Sequence, residues 1–276
     1  MKTRTCLYIF LYNNIDPDEN FLLGNYKPMA YWLPSDFNNY IKKSKFDNNN
    51  FSILHINARS LTNKLDDVSH FVQSLAIKFT CIVVSETWFD SNTVMVDLPD
   101  YTCYSVNRTS KVGGGIAIYV DSSLCFNSRT DLTVDKFDSD IDIACVQLSI
   151  ANTKILVVGL YRPPNTCIQT FTNQYSSFLE KLDREKYNYY IGDDFNIDLL
   201  HCENNEPSGA FLDVSLSHFT YPAIVKPTRI TEISSTVIDN IFVNSSLNDY
   251  FAGILISDLS DHLPIFMCLL TYAAQM

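Results

Sequence analysis

The chain has 276 residues, of which 46% are hydrophobic and 18% charged, and its formal net charge is −11. That length and apolar content provide for a sizeable core and exclude a disordered chain. The acidic balance weighs against a binder that holds nucleic acid by charge alone, because neutralising phosphates supplies much of such affinity.

Residues 1–50, polar and Asn-rich toward their end, read as a partly ordered leader, with 51–276 as one domain. The apolar part of the opening Met-Lys-Thr-Arg-Thr-Cys-Leu-Tyr-Ile-Phe-Leu-Tyr is short, and no small-residue cleavage site follows, so a secretory signal is not expected. No run is long enough to span a membrane. The eight cysteines form no Cys-x-x-Cys pair, which argues against a structural zinc site and for a reduced compartment. A monomer in the cell interior, nuclear or cytoplasmic, is the expectation.

A strand is expected from Phe51 to Asn57, then a helix from Leu61 to Ile77 with apolar residues at helical spacing. Thr80–Ser85 reads as a short buried strand and Tyr101–Val106 as another. Gly113-Gly-Gly115 reads as a turn or close backbone approach before the strand Ile116–Val120, since no Lys-Ser/Thr follows as a phosphate loop requires. Ile141–Ile150 and Lys154–Tyr161 pair around Ala151-Asn-Thr153. Phe171–Leu182 and Gly209–Phe219 are helical. Tyr187–Gly192, Val237–Val243 and Ile265–Leu270 are further strands. Strict strand–helix alternation is missing, so two packed sheets with helices outside fit better than a doubly wound sheet.

Five of these strands finish in residues with catalytic chemistry: Asn57, Glu86, Tyr161, Asp194 with Asn196, and Asp261 with His262. Asp239 lies inside the apolar run Val237–Phe242. Phosphodiester hydrolysis needs a hard cation to neutralise growing charge and a base to take a proton from water. Glu86 and Asp261 can offer oxygens to Mg²⁺, with Asn57 beside them. Asp194 can act as the base, with Asn196 orienting it. His262, kept charged by Asp239, can face the phosphate, and Tyr161 can offer its hydroxyl.

Seven ordered stretches carry a family likeness: His55-Ile-Asn-Ala-Arg-Ser60, Ser85-Glu-Thr-Trp88, Gly113-Gly-Gly-Ile-Ala-Ile-Tyr119, Leu160-Tyr-Arg-Pro-Pro164, Asp194-Phe-Asn-Ile-Asp198, Lys226-Pro-Thr-Arg-Ile230 and Ser260-Asp-His-Leu-Pro264. In them the chain, over about 51–270, resembles the endonuclease/exonuclease/phosphatase superfamily. The likeness is strongest to the apurinic-type endonuclease domain of non-LTR retrotransposons of the jockey-like and chicken-repeat-like lineages. The resemblance implies an α/β fold of DNase I type, a four-layer sandwich of two mixed sheets flanked by helices. It also implies a Mg²⁺-dependent (or Mn²⁺-dependent) nick in DNA whose 3′-hydroxyl primes reverse transcription. By motif match Glu86, Asn57 and Asp261 become the metal side, and Asp194 the base with Asn196 its helper. Tyr161 and His262 face phosphate, Asp239 partners His262, and Arg162 and Arg229 contact DNA. Element RNA and a reverse-transcriptase domain become partners if the chain is part of a longer product.

Two features depart from the pattern. Asp193 stands where the family usually has Gly before Asp-Phe-Asn, which either is tolerated with its side chain pointing away or impairs the site. No reverse transcriptase follows the last expected strand, which suggests a fragment, a truncated copy or a stand-alone derivative. A relative acting on a small phosphate ester, or a catalytically impaired remnant, is the alternative reading.

Overall fold

Apolar runs of five to nine residues, cut by glycine, proline and asparagine turns, fold here as central strands buried on both faces. The computed structural model describes residues 29–44, 50–90, 93, 96–108, 113–133, 137–138, 140–244 and 250–270. In chain order the elements are β1 (Tyr31–Trp32), α1 (Pro34–Lys43), β2 (Ser52–Asn57), α2 (Leu61–Ser74), β3 (Cys81–Ser85), β4 (Tyr101–Val106), β5 (Ile116–Asp121), β6 (Phe126–Ser128), α3 (Thr130–Thr133), β7 (Asp142–Ile150), β8 (Thr153–Tyr161), α4 (Ile168–Glu185), β9 (Asn188–Asp194), α5 (Glu206–Ser217), β10 (Tyr221–Pro222), β11 (Arg229–Ile230), β12 (Ser235–Thr236), β13 (Asp239–Val243), β14 (Tyr250–Leu255) and β15 (Ile265–Leu269).

Two mixed sheets pack face to face, as expected from the sequence. One runs β1-β14-β15-β2-β3-β5-β4 and the other β10-β13-β9-β8-β7-β6. In each the central pair is parallel, β2 with β3 and β8 with β9, and antiparallel strands flank it. Each parallel pair needs a crossover helix; α2 and α4 supply them. The β7–β8 connection is two residues, Ala151 and Asn152, both at positive φ (48° and 66°), the hand that matches strand twist in a tight hairpin.

Alternation along the strands divides the core into layers. Ile53, Val83, Ile118, Val157, Tyr190, Ile241 and Met267 meet between the sheets. Leu54, Ile56, Ile82, Val84 and Phe266 face α1 and α2 on one outer side. Leu156, Val158, Tyr189, Ile191 and Phe242 face Phe171, Tyr175, Phe178 and Leu182 of α4 and Phe211 of α5 on the other. The four-layer α/β sandwich is therefore present. Gly159 is where the sheets press together: a Cβ there would lie 2.6 Å from the Ile116 side chain and 2.9 Å from that of Val83.

The expected leader is partly built into the domain. Its strand β1 extends the first sheet beside β14, and Phe37 of α1 is buried against Phe79 and Phe266. Residues 1–28 and 45–49 of that leader lie outside the described residues. The helices expected over 171–182 and 209–219 each begin three residues earlier than the apolar pattern suggests, and the one expected over 61–77 ends at Ser74; Asn205 caps α5, its side chain accepting the Ser208 N–H at 3.2 Å. Strands β6 and β14 and the short pairs at β10–β12 add to the expected set. Among the described residues no helix is long and apolar enough to cross a membrane.

Candidate active site

The C-terminal ends of both parallel pairs open on the same rim. Asn57 ends β2, and Glu86 follows β3 directly. On the other sheet Tyr161 and Asp194 end β8 and β9 as register partners, and Asp239 opens β13 opposite Asp194. The segment joining β14 to β15 brings Asp261 and His262 over the gap. Glu86 sits at φ 53° and Asn196 at φ 48°, in the left-handed region that non-glycine residues seldom occupy. Strained backbone of this kind clusters at functional sites.

Asn57 links the sheets. Its Nδ2 donates to Asp194 Oδ2 at 2.9 Å and to Glu86 Oε1 at 3.2 Å, while its Oδ1 accepts the Arg59 N–H at 3.1 Å. The amide therefore orients two carboxylates and directs its own oxygen to the Arg59 N–H, beside the carboxylates as expected. The other Glu86 oxygen accepts from Trp88 Nε1 at 3.2 Å. Asp194 Oδ1 accepts the Asn196 N–H at 3.0 Å, and Asn196 Nδ2 donates to the Arg162 carbonyl at 2.9 Å. Asn196 thus fixes the Asp194 carboxylate through its backbone.

His262 Nδ1 lies 3.0 Å from each oxygen of Asp239 and 4.0 Å from Asp194 Oδ2. Thr228 donates its hydroxyl to Asp239 Oδ2 at 2.7 Å. Burial works against a charged imidazole, but Asp239 outweighs it and pushes His262 up to about 9. Asp239 in turn is held below the usual carboxylate range, its burial overcome by His262. Burial first, then the Asp239 charge, raises Asp194 to about 8, with His262 pulling the other way. Deeper still, burial lowers His55 to about 4, so it is neutral; its Nε2 lies 3.2 Å from the Ser85 hydroxyl.

The structure brings Asn57, Glu86, Tyr161, Asp194, Asn196, Asp239 and His262 together. Two expected residues are placed otherwise. Arg162 is not a surface contact: its guanidinium is buried and donates to the carbonyls of Phe195 (2.6 Å), Asn196 (2.7 Å), Thr166 (2.7 Å) and Pro163 (3.2 Å), bracing the loop after β9. Asp261 is taken by two guanidinium groups, Arg59 at 2.7 Å and Arg229 at 2.7 Å; they outweigh its partial burial and hold it down at about 2. Arg229 remains at the rim, with 38% of its side chain exposed. Thr228 and Trp88 are partners that the sequence reading passed over, although both lie inside its quoted stretches.

Asp193 faces away. Tyr189, Ile191 and Asp193 share the outer side of β9, toward α4 and α5, while Asp194 faces the rim. Asp193 is fully buried and neither carboxylate oxygen meets a hydrogen-bond partner. Burial, with the Asp194 and Asp239 charges added, keeps it well above the usual carboxylate range; the Arg162 charge opposes this only in part.

Asp194, Asp239 and His262 place one ligand atom each within 4.8 Å of one another, the spacing of a metal nest. Asp239 holds a proton on His262, and a doubly protonated imidazole has no lone pair to give a metal; in that state the trio is a charge cluster. The oxygens of Glu86 and Asp194 are carboxylate donors of the type a hard cation takes, and such a cation needs only one or two of them besides water and substrate oxygens.

This is the fold of the endonuclease/exonuclease/phosphatase superfamily. The endonuclease domain of TRAS1, a telomere-specific non-LTR retrotransposon, superposes with a TM-score of 0.59 at 15% identity, covering 80% of this chain and 99% of its own. The AP endonuclease LMAP from Leishmania major gives 0.66 at 15% identity, covering 94% and 97%. The 3′ phosphatase NExo from Neisseria, bound to a product DNA hairpin, gives 0.56 at 12% identity, covering 79% and 98%. No protein-family model and no curated protein matches the sequence.

Proposed function

We propose that the chain is a divalent-metal-dependent phosphodiester hydrolase that nicks DNA as the endonuclease of a non-LTR retrotransposon. One observation carries the reading: a buried Asp239–His262 pair, a general-base carboxylate at Asp194 and a half-buried Glu86 all converge where the two sheets open. The seven sequence stretches and the TRAS1 likeness support the retrotransposon setting, with element RNA and a reverse transcriptase as partners in a longer product.

Glu86, with Asp194 near it, would hold Mg²⁺ or Mn²⁺, which would supply neutralising charge to the phosphate oxygens. Asp194 accepts a proton from the attacking water as its oxygen bonds to phosphorus. The bond from phosphorus to the 3′ oxygen breaks, and that oxygen leaves as a hydroxyl with a proton from Tyr161. His262 faces a non-bridging oxygen through Nε2, its charge maintained by Asp239. Arg59 and Arg229 line the rim where the flanking backbone would pass.

Supercoiled plasmid with Mg²⁺, with and without chelator, tests the reading. Chelator-sensitive nicking that His262→Ala abolishes is expected; no nicking of intact or abasic DNA would end it. The net charge of −11 favours a second reading, a small phosphate ester as substrate. A phosphate-ester panel run beside the plasmid separates the two.

A further inference from the structure

Arg108 follows β4, Asp142 opens β7 and Tyr161 closes β8. Asp142 and Tyr161 are direct partners across the antiparallel pair, so their side chains leave the same face of the sheet. Arg108 grips Asp142 with two prongs, Nε to Oδ1 at 3.1 Å and Nη2 to Oδ2 at 2.6 Å, and Nη2 also donates to the Asp140 carbonyl at 2.6 Å. The Gly115 N–H donates to Asp142 Oδ2 at 2.9 Å. Both side chains are nearly buried, at 9% and 6% exposure.

The glycine run is shaped around this pair. Gly114 sits at φ 74°, and a Cβ on it would lie 2.5 Å from Asp142 Oδ2 and 2.6 Å from Arg108 Cζ. Any side chain there would push the pair apart. The Arg108 guanidinium then lies 5.7 Å from the centre of the Tyr161 ring. Burial first, and then the charges of Glu86, Asp194 and Asp142, raise that phenol above its ordinary range, and Arg108 is the charge that opposes them. A buried ion pair adds little net stability over apolar packing, so the arrangement is explained better by what it does to its neighbour.

The geometry points to Arg108 as a positioning residue for the reaction: pinned by Asp142 and the Gly113–Gly115 turn, it fixes the Tyr161 ring and sharpens its hydroxyl as a donor. A cation over an aromatic face holds the ring by its quadrupole and draws electron density from the phenol. Arg108 itself touches neither water nor phosphate in this scheme. The inference rests on the phosphodiesterase reading for its kinetic consequence, but not for its structural one.

The test pairs kinetics with a measurement that needs no turnover. R108Q alone strands a buried carboxylate, so R108Q–D142N, a neutral amide pair of similar shape, is the working variant, with R108K beside it. On a short duplex, R108Q–D142N is expected to lower kcat about tenfold with KM unchanged, and to lower it less than about twofold when Tyr161 is already Phe. R108K should recover part of the loss. Equal losses in both backgrounds, or a loss confined to KM, would overturn the proposal. In protein labelled with 3-fluorotyrosine, the fluorine resonance absent from Y161F belongs to Tyr161. It should move or split in R108Q–D142N and stay put in R108K. A Tyr161 resonance unchanged in R108Q–D142N overturns the proposal whether or not the wild-type protein cuts DNA.

Discussion

Replacing Asp193 with Asn tests the placement of this carboxyl most directly. The folded protein holds it buried, unpaired and protonated, while in the unfolded chain it ionises near pH 3.9. The folded value is raised, so its contribution to stability is complete below the unfolded value and is lost as pH rises toward the folded one. In that window folding must take up one proton. Each pH unit between the unfolded value and the folded one then costs about 1.4 kcal/mol. Against a total stability of roughly 5–15 kcal/mol for a domain, that is a large loss. Asn is as polar as the neutral acid but cannot ionise. Urea unfolding of both proteins at pH 4, 5 and 6 should show equal stability at pH 4 and an Asn advantage that grows by about 1.4 kcal/mol per unit. A difference that stays flat with pH would show that the carboxylate is charged and compensated in the fold, and the reasoning would fail. Because the side chain points away from the rim, nicking per folded molecule should match wild type in Asp193→Asn and in Asp193→Gly.

Other outcomes follow from the site. The pH–rate profile should be bell-shaped, with an acid limb at or below about 8, where the Asp194 cluster loses its proton, and an alkaline limb near 9, where His262 does. His262→Ala should remove the alkaline limb along with most activity. Glu86→Gln should raise the Mg²⁺ concentration for half-maximal rate more than about tenfold and Asp261→Asn less than about threefold, measured by metal titration; the reverse order would restore Asp261 as a ligand. Arg162→Ala should lower stability by roughly 3 kcal/mol or more in urea unfolding, since four backbone carbonyls lose their donor, and Arg162→Lys should not rescue it.

The central strands were legible because burial on both faces leaves an unbroken apolar run that ends abruptly in a polar residue, as at Asn57, Glu86 and Tyr161. Strands of two residues, such as β10–β12, are too short to carry a period. The run of β14 is interrupted by Gly253, whose space is taken by Phe266 and Trp32. Within the site, pairing Asp239 with His262 held in the geometry, whereas Asp261 turned outward. Asp261 lies in the bend before His262, where Arg59 and Arg229 hold its carboxylate, and no periodicity in the sequence marks that turn. The role of Arg162 was hidden for another reason: an Arg-Pro-Pro stretch looks like exposed loop, and nothing in it reveals that the carbonyls of 195 and 196 turn inward to meet it.

The hydrogen bond from Asn57 to Asp194 joins one sheet to the other, and His262 arrives only when β15 lies beside β2, Ile265 next to His55. Pairings so distant along the chain carry a large loop-closure cost and slow the fold as a whole. A copy that lacks either pairing therefore carries scattered acids and no assembled site. The residues that meet at the rim are thus delivered together, in the same step that completes the fold.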